Sequence, residues 1–151
     1  MASPSLNKFS LSPVQGQLDL NLQPNTIAVQ VGSGQATDLV PGQAVKMTTG
    51  AGGLPIVIAA AADSDDIFGF LNYDLKDNSL GALAIGQISM RGNVMWMTAA
   101  GAIARGAKVN VVIASVKVQT DAAGGQTVIG RALDPASADG DLIRVLIGTP
   151  V

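Results

Sequence analysis

Residues 36–47 read ATDLVPGQAVKM, and residues 102–111 read AIARGAKVNV, with the same order of residue types. In each copy a small or aliphatic stretch leads into a glycine-centred turn, and a short apolar strand that carries one lysine leads out. A second pair of landmarks keeps the same order, because IFGFL at 67–71 matches VIGRAL at 128–133. One repetition is too few for a solenoid. The sequence therefore predicts two similar β half-units packed as one body.

Four glycines are the expected structural turn positions of these half-units. Gly42 and Gly106 centre the two repeated turns. Gly69 and Gly130 lie inside strand patterns, where glycine marks a bulge or a place at which a side chain would collide with a crossing backbone.

Composition favours strands over helices. All eleven acidic residues are aspartate, and the chain has eighteen glycines and seven prolines. Aspartate hydrogen-bonds its own local backbone and suits turns, whereas glutamate suits helices. We therefore predict an all-β fold, a small β-barrel or sandwich of nine or ten short strands with at most one or two short helical turns. With 48% apolar residues, 151 residues can bury a core without disulfides.

Charge and cysteine usage exclude several classes of partner. The formal net charge is −2, and the nine Lys and Arg residues are spread singly, so we expect no nucleic-acid partner. There is no cysteine, which excludes disulfides and thiolate metal sites. The longest apolar run, 54–62, contains Pro55 and stops at Asp63, too short to span a membrane. With no signal-peptide pattern, we expect a soluble protein made and used without export.

The first 35 residues differ from the rest and predict two regions, an extended N-terminal arm over 1–35 and a β-barrel domain over 36–151. The arm is rich in Ser, Pro, Gln and Asn, and its apolar residues alternate with polar ones. Such a segment is too thin to bury its own side chains, so it should lie across another surface, either its own barrel or a neighbouring subunit. The apolar arm residues expected at that contact are Leu6, Phe9, Leu11, Leu18, Leu20, Leu22, Ile27 and Val29.

Catalytic chemistry has little support in the sequence. Histidine and cysteine are both absent, which removes the usual general base, thiol nucleophile and zinc ligands. The S-x-x-K spacing occurs once, from Ser5 to Lys8 in the Ser- and Pro-rich arm, and no serine lies in a strand-to-helix elbow. We therefore predict that the chain is not an enzyme, with no catalytic residues, no metal and no cofactor.

Two local patterns resemble ligand sites but favour structural roles. Asp63, Asp65 and Asp66 form an acidic cluster that lacks the spacing and glutamate of a calcium loop, so a solvated corner is the favoured interpretation. The glycine-rich stretches at 50–53 and 121–125 are followed by neither a Lys-Ser/Thr pair nor a helix, so they are predicted to be hairpin loops.

Met95, Trp96 and Met97 are the candidate subunit interface within the body. On a strand, Met95 and Met97 share one face and Trp96 takes the other. One face must be core, and the opposite face then exposes a large apolar side chain, which is typical of interfaces. Plain core remains the alternative.

The order of motifs PGQAVK, IFGF, GQISMRGNV, AIARGAKV, VIGRALDPA and VLIG resembles the capsid decoration, or cement, proteins of tailed bacteriophages. The matching positions are 41–46, 67–70, 86–94, 102–109, 128–136 and 145–148. The resemblance implies a small β-barrel on the outer surface of the major capsid lattice, usually trimeric and sometimes dimeric. It also implies an N-terminal arm that reaches over neighbouring capsid subunits.

Two functional hypotheses follow. The first is a virion structural protein, made in the host cytoplasm, that binds the major capsid protein and itself and stabilises the expanded head. The alternative is a β-barrel recognition module that binds carbohydrate or acts as an adhesin on a virion. A sugar-binding site usually stacks the sugar on exposed Trp or Tyr rings. The sequence has only one Trp and one Tyr, which disfavours this alternative.

Overall fold

The structure is a computed structural model that describes residues 15–17, 25–50, 53–62, 64–73, 79–122 and 127–148. These residues form ten strands and one 3-10 turn at Ile113–Ser115, which confirms the all-β prediction. The strands are β1 (Thr26–Val31), β2 (Ala44–Met47), β3 (Ile56–Ala59), β4 (Gly69–Leu71), β5 (Ile85–Ser89), β6 (Val94–Thr98), β7 (Lys108–Val112), β8 (Lys117–Thr120), β9 (Val128–Ala132) and β10 (Leu142–Ile147).

The first five strands close into a barrel in the order β1-β3-β2-β4-β5. Closure depends on β1, which pairs parallel with β3 on one side and antiparallel with β5 on the other. Alternate residues point inward, and the interior of the barrel is filled by fully buried aliphatic side chains. These include Val29, Val31, Val45, Val57 and Ile88.

The second five strands repeat the same pairing scheme, in the order β6-β10-β9-β7-β8. Strand β6 pairs antiparallel with β10 as β1 does with β5, and β7 lies between β8 and β9 as β2 lies between β3 and β4. A parallel bridge from Ala99 to Val118 links β6 to β8, where the first barrel has the parallel pair β1 and β3. The two similar half-units predicted from sequence are therefore two copies of one five-stranded unit.

The repeated turns occupy the same place in both units. Gly42 and Gly106 each have a φ of +81°, which only glycine adopts readily. Each turn glycine donates its N–H to the carbonyl of the last residue of the matching strand. Gly42 donates to Leu71, at the end of β4, at 2.8 Å, and Gly106 donates to Ala132, at the end of β9, at 2.7 Å. Both glycines lie in turns, at equivalent places in the two units.

Gly69 and Gly130 are crowded by neighbouring backbone. A Cβ on Gly69 would lie 2.7 Å from the carbonyl oxygen of Ser89, and one on Gly130 would overlap the carbonyl oxygen of Leu146. Both glycines therefore allow adjacent strands to approach closely, as expected from their positions inside strand patterns.

The core of the second unit includes residues of the first unit. Ala44, Ala60 and Phe70 belong to the first unit but point out of its barrel, and they are buried in the hydrophobic cluster of the second unit. Phe70 is only 1% exposed. Burial of a phenylalanine side chain contributes about 1.5–3 kcal/mol, so this contact fixes the two units against each other.

The predicted boundary between arm and barrel requires a correction. Residues 26–31, assigned to the arm, form β1, which is hydrogen-bonded to strands on both sides. Val29 is fully buried inside the barrel and is not available to a neighbour, and Ile27 packs against the same core. The alternation of apolar and polar residues is the same in a barrel strand as in an arm with one apolar edge, so the pattern alone did not separate the two.

Candidate protein-binding surfaces

Residues 15–17 of the predicted arm are attached to the body. Gly16 donates its N–H to the Trp96 carbonyl at 2.8 Å, and the Trp96 N–H donates to the Gln17 carbonyl at 2.8 Å. Gly16 also accepts from the N–H of Tyr73 at 3.0 Å. Two of these bonds are to Trp96 of β6, so the segment is hydrogen-bonded to the second unit. We call residues 15–17 the anchor.

The anchor ties the two units together. The Gln15 side chain donates from Nε2 to the Pro41 carbonyl at 3.1 Å and to the Val116 carbonyl at 3.0 Å. Pro41 belongs to the first unit and Val116 to the second. Gly16 has a φ of +77°, and a Cβ there would lie 2.6 Å from the nitrogen of Gly42. Only glycine fits, so residues 15–17 are held at a fixed point beside the 41–42 turn.

The remaining arm residues of the prediction, Leu6, Phe9, Leu11, Leu18, Leu20 and Leu22, lie outside the described residues. Their predicted contact with a neighbour stays a prediction.

The side chains of residues 95–97 alternate between the two faces of β6 as predicted, so the three residues of the candidate interface do not share one surface. Met95 and Met97 are 0% and 2% exposed and belong to the core of the second unit, so they do not meet a partner. Trp96 faces outward and is half-buried. Of the three residues, only Trp96 lies on the surface.

An arginine covers Trp96. The Arg144 guanidinium carbon lies 5.9 Å from the centre of the Trp96 ring, within the range of a cation–π contact. The same guanidinium holds Asp134 in a fork, with Nε to Oδ2 and Nη2 to Oδ1 both at 2.8 Å. These hydrogen bonds lower the pKa of Asp134 below its usual value. The indole is therefore held under a fixed guanidinium.

The acidic cluster is a structural corner. Asp65 Oδ2 accepts from Lys46 Nζ at 2.9 Å and from the N–H groups of Ala61 and Ala62 at 2.7 and 3.0 Å. The Lys46 hydrogen bond and these backbone donors lower the pKa of Asp65 to about 2. Its Oδ2 atom is thus occupied by the fold, while Asp63 lies outside the described residues. The solvated-corner interpretation fits these contacts.

A groove of about 740 Å³ lies between the two units next to this corner. Its walls include Lys46, Asp65, Phe68, Arg91 and Ile147. Because the Lys46 ammonium is paired with Asp65, the groove has mixed charge and selects no single ligand class.

The described part of the chain contains no cluster of metal-ligating side chains. Over those residues, no three His, Cys, Asp or Glu side chains come together in a way that would hold a metal ion. Within the same ranges, no helix has the length and apolar character needed to cross a membrane.

The largest exposed apolar side chains of the described residues concentrate on the first unit. Ile85 is 63% exposed and Leu83 is 61% exposed. Ile85 stands directly across from Gln30 on β1, and Gln30 stands across from Ile56 on β3, so one row of side chains crosses three strands on the outer face of the barrel. Ile58, two residues along β3, shares that face.

Beside this row is a hollow of about 410 Å³, which we call the apolar hollow. Gly32 lies next to its isoleucine walls, since a Cβ there would touch the Cγ2 atoms of Ile58 and Ile56 at 3.0 and 3.5 Å. None of the described residues that line it is charged. Its lining residues are Gln30, Val31, Gly32, Ser33, Gly34, Thr48, Thr49, Gly50, Ile56, Ile58 and Leu83.

Leu83 adopts a backbone conformation that is unfavourable for leucine, with a φ of +66°. The matching residue of the second unit is Gly140, with a φ of +94°. The two are equivalent because Leu83 donates its N–H to the Val31 carbonyl and Gly140 to the Ala99 carbonyl, both at 2.9 Å. The turn therefore accepts glycine, yet the first unit places an exposed leucine there.

The isoleucines of the hollow have polar counterparts in the second unit. Val57 and Val118 form the equivalent parallel bridges, so Ile56 corresponds to Lys117 and Ile58 to Gln119. Lys117 pairs with Asp139 at 2.7 Å. Since the same fold is built with polar residues at these places, folding does not require the apolar hollow. We take it as the strongest candidate binding surface.

Sequence reasoning missed Leu83, Ile85, Ile56 and Ile58. Exposure cannot be read from a strand pattern, but aligning the two repeats beyond their landmarks would have placed Leu83 opposite Gly140. An apolar residue at the position of a turn glycine is the signal that was present.

The chain is similar to a known protein in structure, but it matches no family model and no curated protein in sequence. The crystal structure of the N base of head fiber gp8.5 of bacteriophage phi29 is similar, with a TM-score of 0.53 at 12% identity. The match covers 84% of this chain and 96% of that one. At this identity the likeness is one of fold, and the chain therefore shares the fold of a phage head fiber base.

Proposed function

We propose that this chain is a virion structural protein of a tailed phage, located on the outer surface of the capsid. The observation that carries the proposal is the fold shared with the base of a head fiber. The order of motifs similar to capsid decoration proteins supports the same class of function from a separate direction. Because fold alone does not determine function, the surfaces of this chain must supply the rest of the argument.

Those surfaces suit a protein that acts by binding. The apolar hollow and the flanking Leu83 and Ile85 offer uncharged surface that the duplicated unit shows to be unnecessary for folding. The anchor fixes Gln15, the residue that follows the predicted arm segment 1–14, at a point between the units. We propose that the chain binds the major capsid protein and other copies of itself, as a trimer or a dimer, and that it catalyses no reaction and needs no cofactor, nucleic acid or membrane.

Binding of this kind would stabilise an expanded head by mass action. A protein that binds the assembled lattice and not its free subunits lowers the free energy of the assembled state. Modest contacts suffice when copies are linked, since the second contact then forms at high effective concentration.

The carbohydrate-binding alternative is disfavoured by the geometry of Trp96. A sugar stacks on a free aromatic face, whereas the indole ring here is covered by the Arg144 guanidinium. That guanidinium is itself held by Asp134.

Co-sedimentation with empty, expanded heads of the phage that encodes the chain tests the proposal. We expect saturable binding to expanded heads and a rise in the temperature at which decorated heads open. Unexpanded heads of the same phage are the matched control for nonspecific pelleting. Absence of binding to expanded heads, together with binding to glycans, would favour the recognition module instead.

A further inference from the structure

We infer that the apolar hollow receives residues 1–14 of a second copy of this chain. The inference concerns contact between copies, so it stands or falls independently of whether the protein is carried on a capsid.

The first step is the chemistry of the hollow. It measures about 410 Å³, within the size range of sites that take a compact ligand. Its apolar side chains are those of Val31, Ile56, Ile58 and Leu83, uncharged polar residues and glycines complete the lining, and none of the described lining residues is charged. Leu83 is held in a strained backbone conformation beside it, and strained residues in native folds cluster at binding sites. The hollow therefore fits an uncharged segment with apolar side chains.

The second step is the chemistry of the segment. Residues 1–14 contain the apolar side chains Leu6, Phe9, Leu11 and Val14, and their only charged side chain is Lys8. Serine and proline fill most of the remaining positions, which suits an extended segment that binds with alternate side chains in a groove. Segment and hollow match in character, since the described lining of the hollow is uncharged and the segment carries a single charged side chain, Lys8, beside four larger apolar ones.

The third step is the place where the segment begins. The anchor lies beside the 41–42 turn, at the start of β2, whereas Thr48 to Gly50 line the hollow after the end of β2. The anchor, to which the segment is joined at Gln15, therefore lies at the opposite end of the first barrel from the hollow. Fourteen residues span at most about 50 Å, long enough to bridge to an adjacent molecule. To fill its own hollow the chain would have to double back along its own barrel, so a second copy is the favoured occupant.

The absence of cysteine makes a direct test possible. Two full-length variants, Phe9→Cys and Leu83→Cys, are purified separately, with a size tag on one, then mixed and oxidised with copper phenanthroline. We expect a disulfide-linked heterodimer of the two chains. The matched control replaces Leu83→Cys by Leu146→Cys, an apolar residue of the second unit that is 38% exposed. A heterodimer yield no higher than this control would overturn the inference.

A chain that carries both Phe9→Cys and Leu83→Cys shows whether the segment in the hollow comes from the same chain or from a second copy. Covalent dimers and larger species are expected if the occupant comes from another copy. If the double variant instead forms an internal disulfide at every concentration and stays monomeric, the segment fills its own hollow and the inference is wrong.

The second unit supplies a surface variant that should fold. Ile56→Lys, Ile58→Gln and Leu83→Gly together place the residues of the equivalent positions in the hollow. Light scattering over a range of concentrations should show a smaller average mass for this variant than for the natural chain, and Leu146→Ser, which copies Ser89, should leave the mass unchanged. A natural chain that is monomeric throughout, or a variant that assembles equally well, would contradict the inference. Head binding retained by a dissociated variant would leave the proposed function intact.

Discussion

Replacing Gly130 by alanine should destabilise the fold by about 2–3 kcal/mol. The new methyl group would overlap the Leu146 carbonyl oxygen and lie 3.3 Å from the nitrogen of Gly148. Strands β9 and β10 must then separate by roughly 1 Å, and overpacking of this kind costs about 1–3 kcal/mol. The hydrogen bond from the Gly148 N–H to the Ile129 carbonyl, at 2.8 Å, is strained at the same place, which adds about 1 kcal/mol. The reduced freedom of the unfolded chain returns about 0.4–1 kcal/mol.

Thermal unfolding followed by circular dichroism measures this effect. For a chain of this size, 1 kcal/mol corresponds to about 2–4 °C, so Gly130→Ala should lower Tm by roughly 5–10 °C. Gly101→Ala is the matched control, because a Cβ at Gly101 meets no atom within 4 Å and its φ is not positive. We expect that control to match or exceed the natural Tm. An unchanged Tm for Gly130→Ala would refute the close approach of β9 and β10.

Three further predictions concern a charge, a turn and the hollow. Asp65 has a pKa lowered to about 2, so its stabilising effect is complete above about pH 4 and is lost as the pH falls toward 2; Asp65→Asn should flatten acid unfolding over that range, seen by circular dichroism. Gly42→Ala should speed proteolysis before residue 18, because the new Cβ would lie 2.6 Å from the Gln15 side chain and would displace the anchor. Gly106→Ala is the control, since Gly106 has the same φ but no neighbour within 4 Å, and it should not change the cleavage rate. Equal cleavage of the two variants would argue against the anchor. Leu83→Gly should hold or raise the stability by up to about 1 kcal/mol in urea unfolding, since relief of about 1–2 kcal/mol of left-handed strain offsets about 0.5–1 kcal/mol of entropy; a large loss would show that Leu83 serves the core.

The internal repeat was the part of the fold most accessible from sequence. Glycine and proline impose turns locally, so the matched turns at Gly42 and Gly106 could be recognised without knowing what packs around them. Pairing is a long-range property. Nothing local in residues 26–31 indicates that this strand lies between β3 and β5, and its assignment to the arm was wrong for that reason.

The faces of strands were predictable, but their surroundings were not. Alternation correctly separated Met95 and Met97 from Trp96, because successive side chains point to opposite faces. It could not show that Phe70 points out of its own barrel and into the core of the second unit. It also could not show that Ile56, at the equivalent of Lys117, lines an open hollow, since both residues fit an outward position on an equivalent strand.

The most direct measurement is a cryo-electron microscopy difference map between heads assembled with this chain and heads assembled without it. We expect added density on the outer surface of the shell at repeated lattice positions, large enough to hold a ten-stranded, two-unit body at each. Identical shells in the two maps would contradict a role on the head exterior.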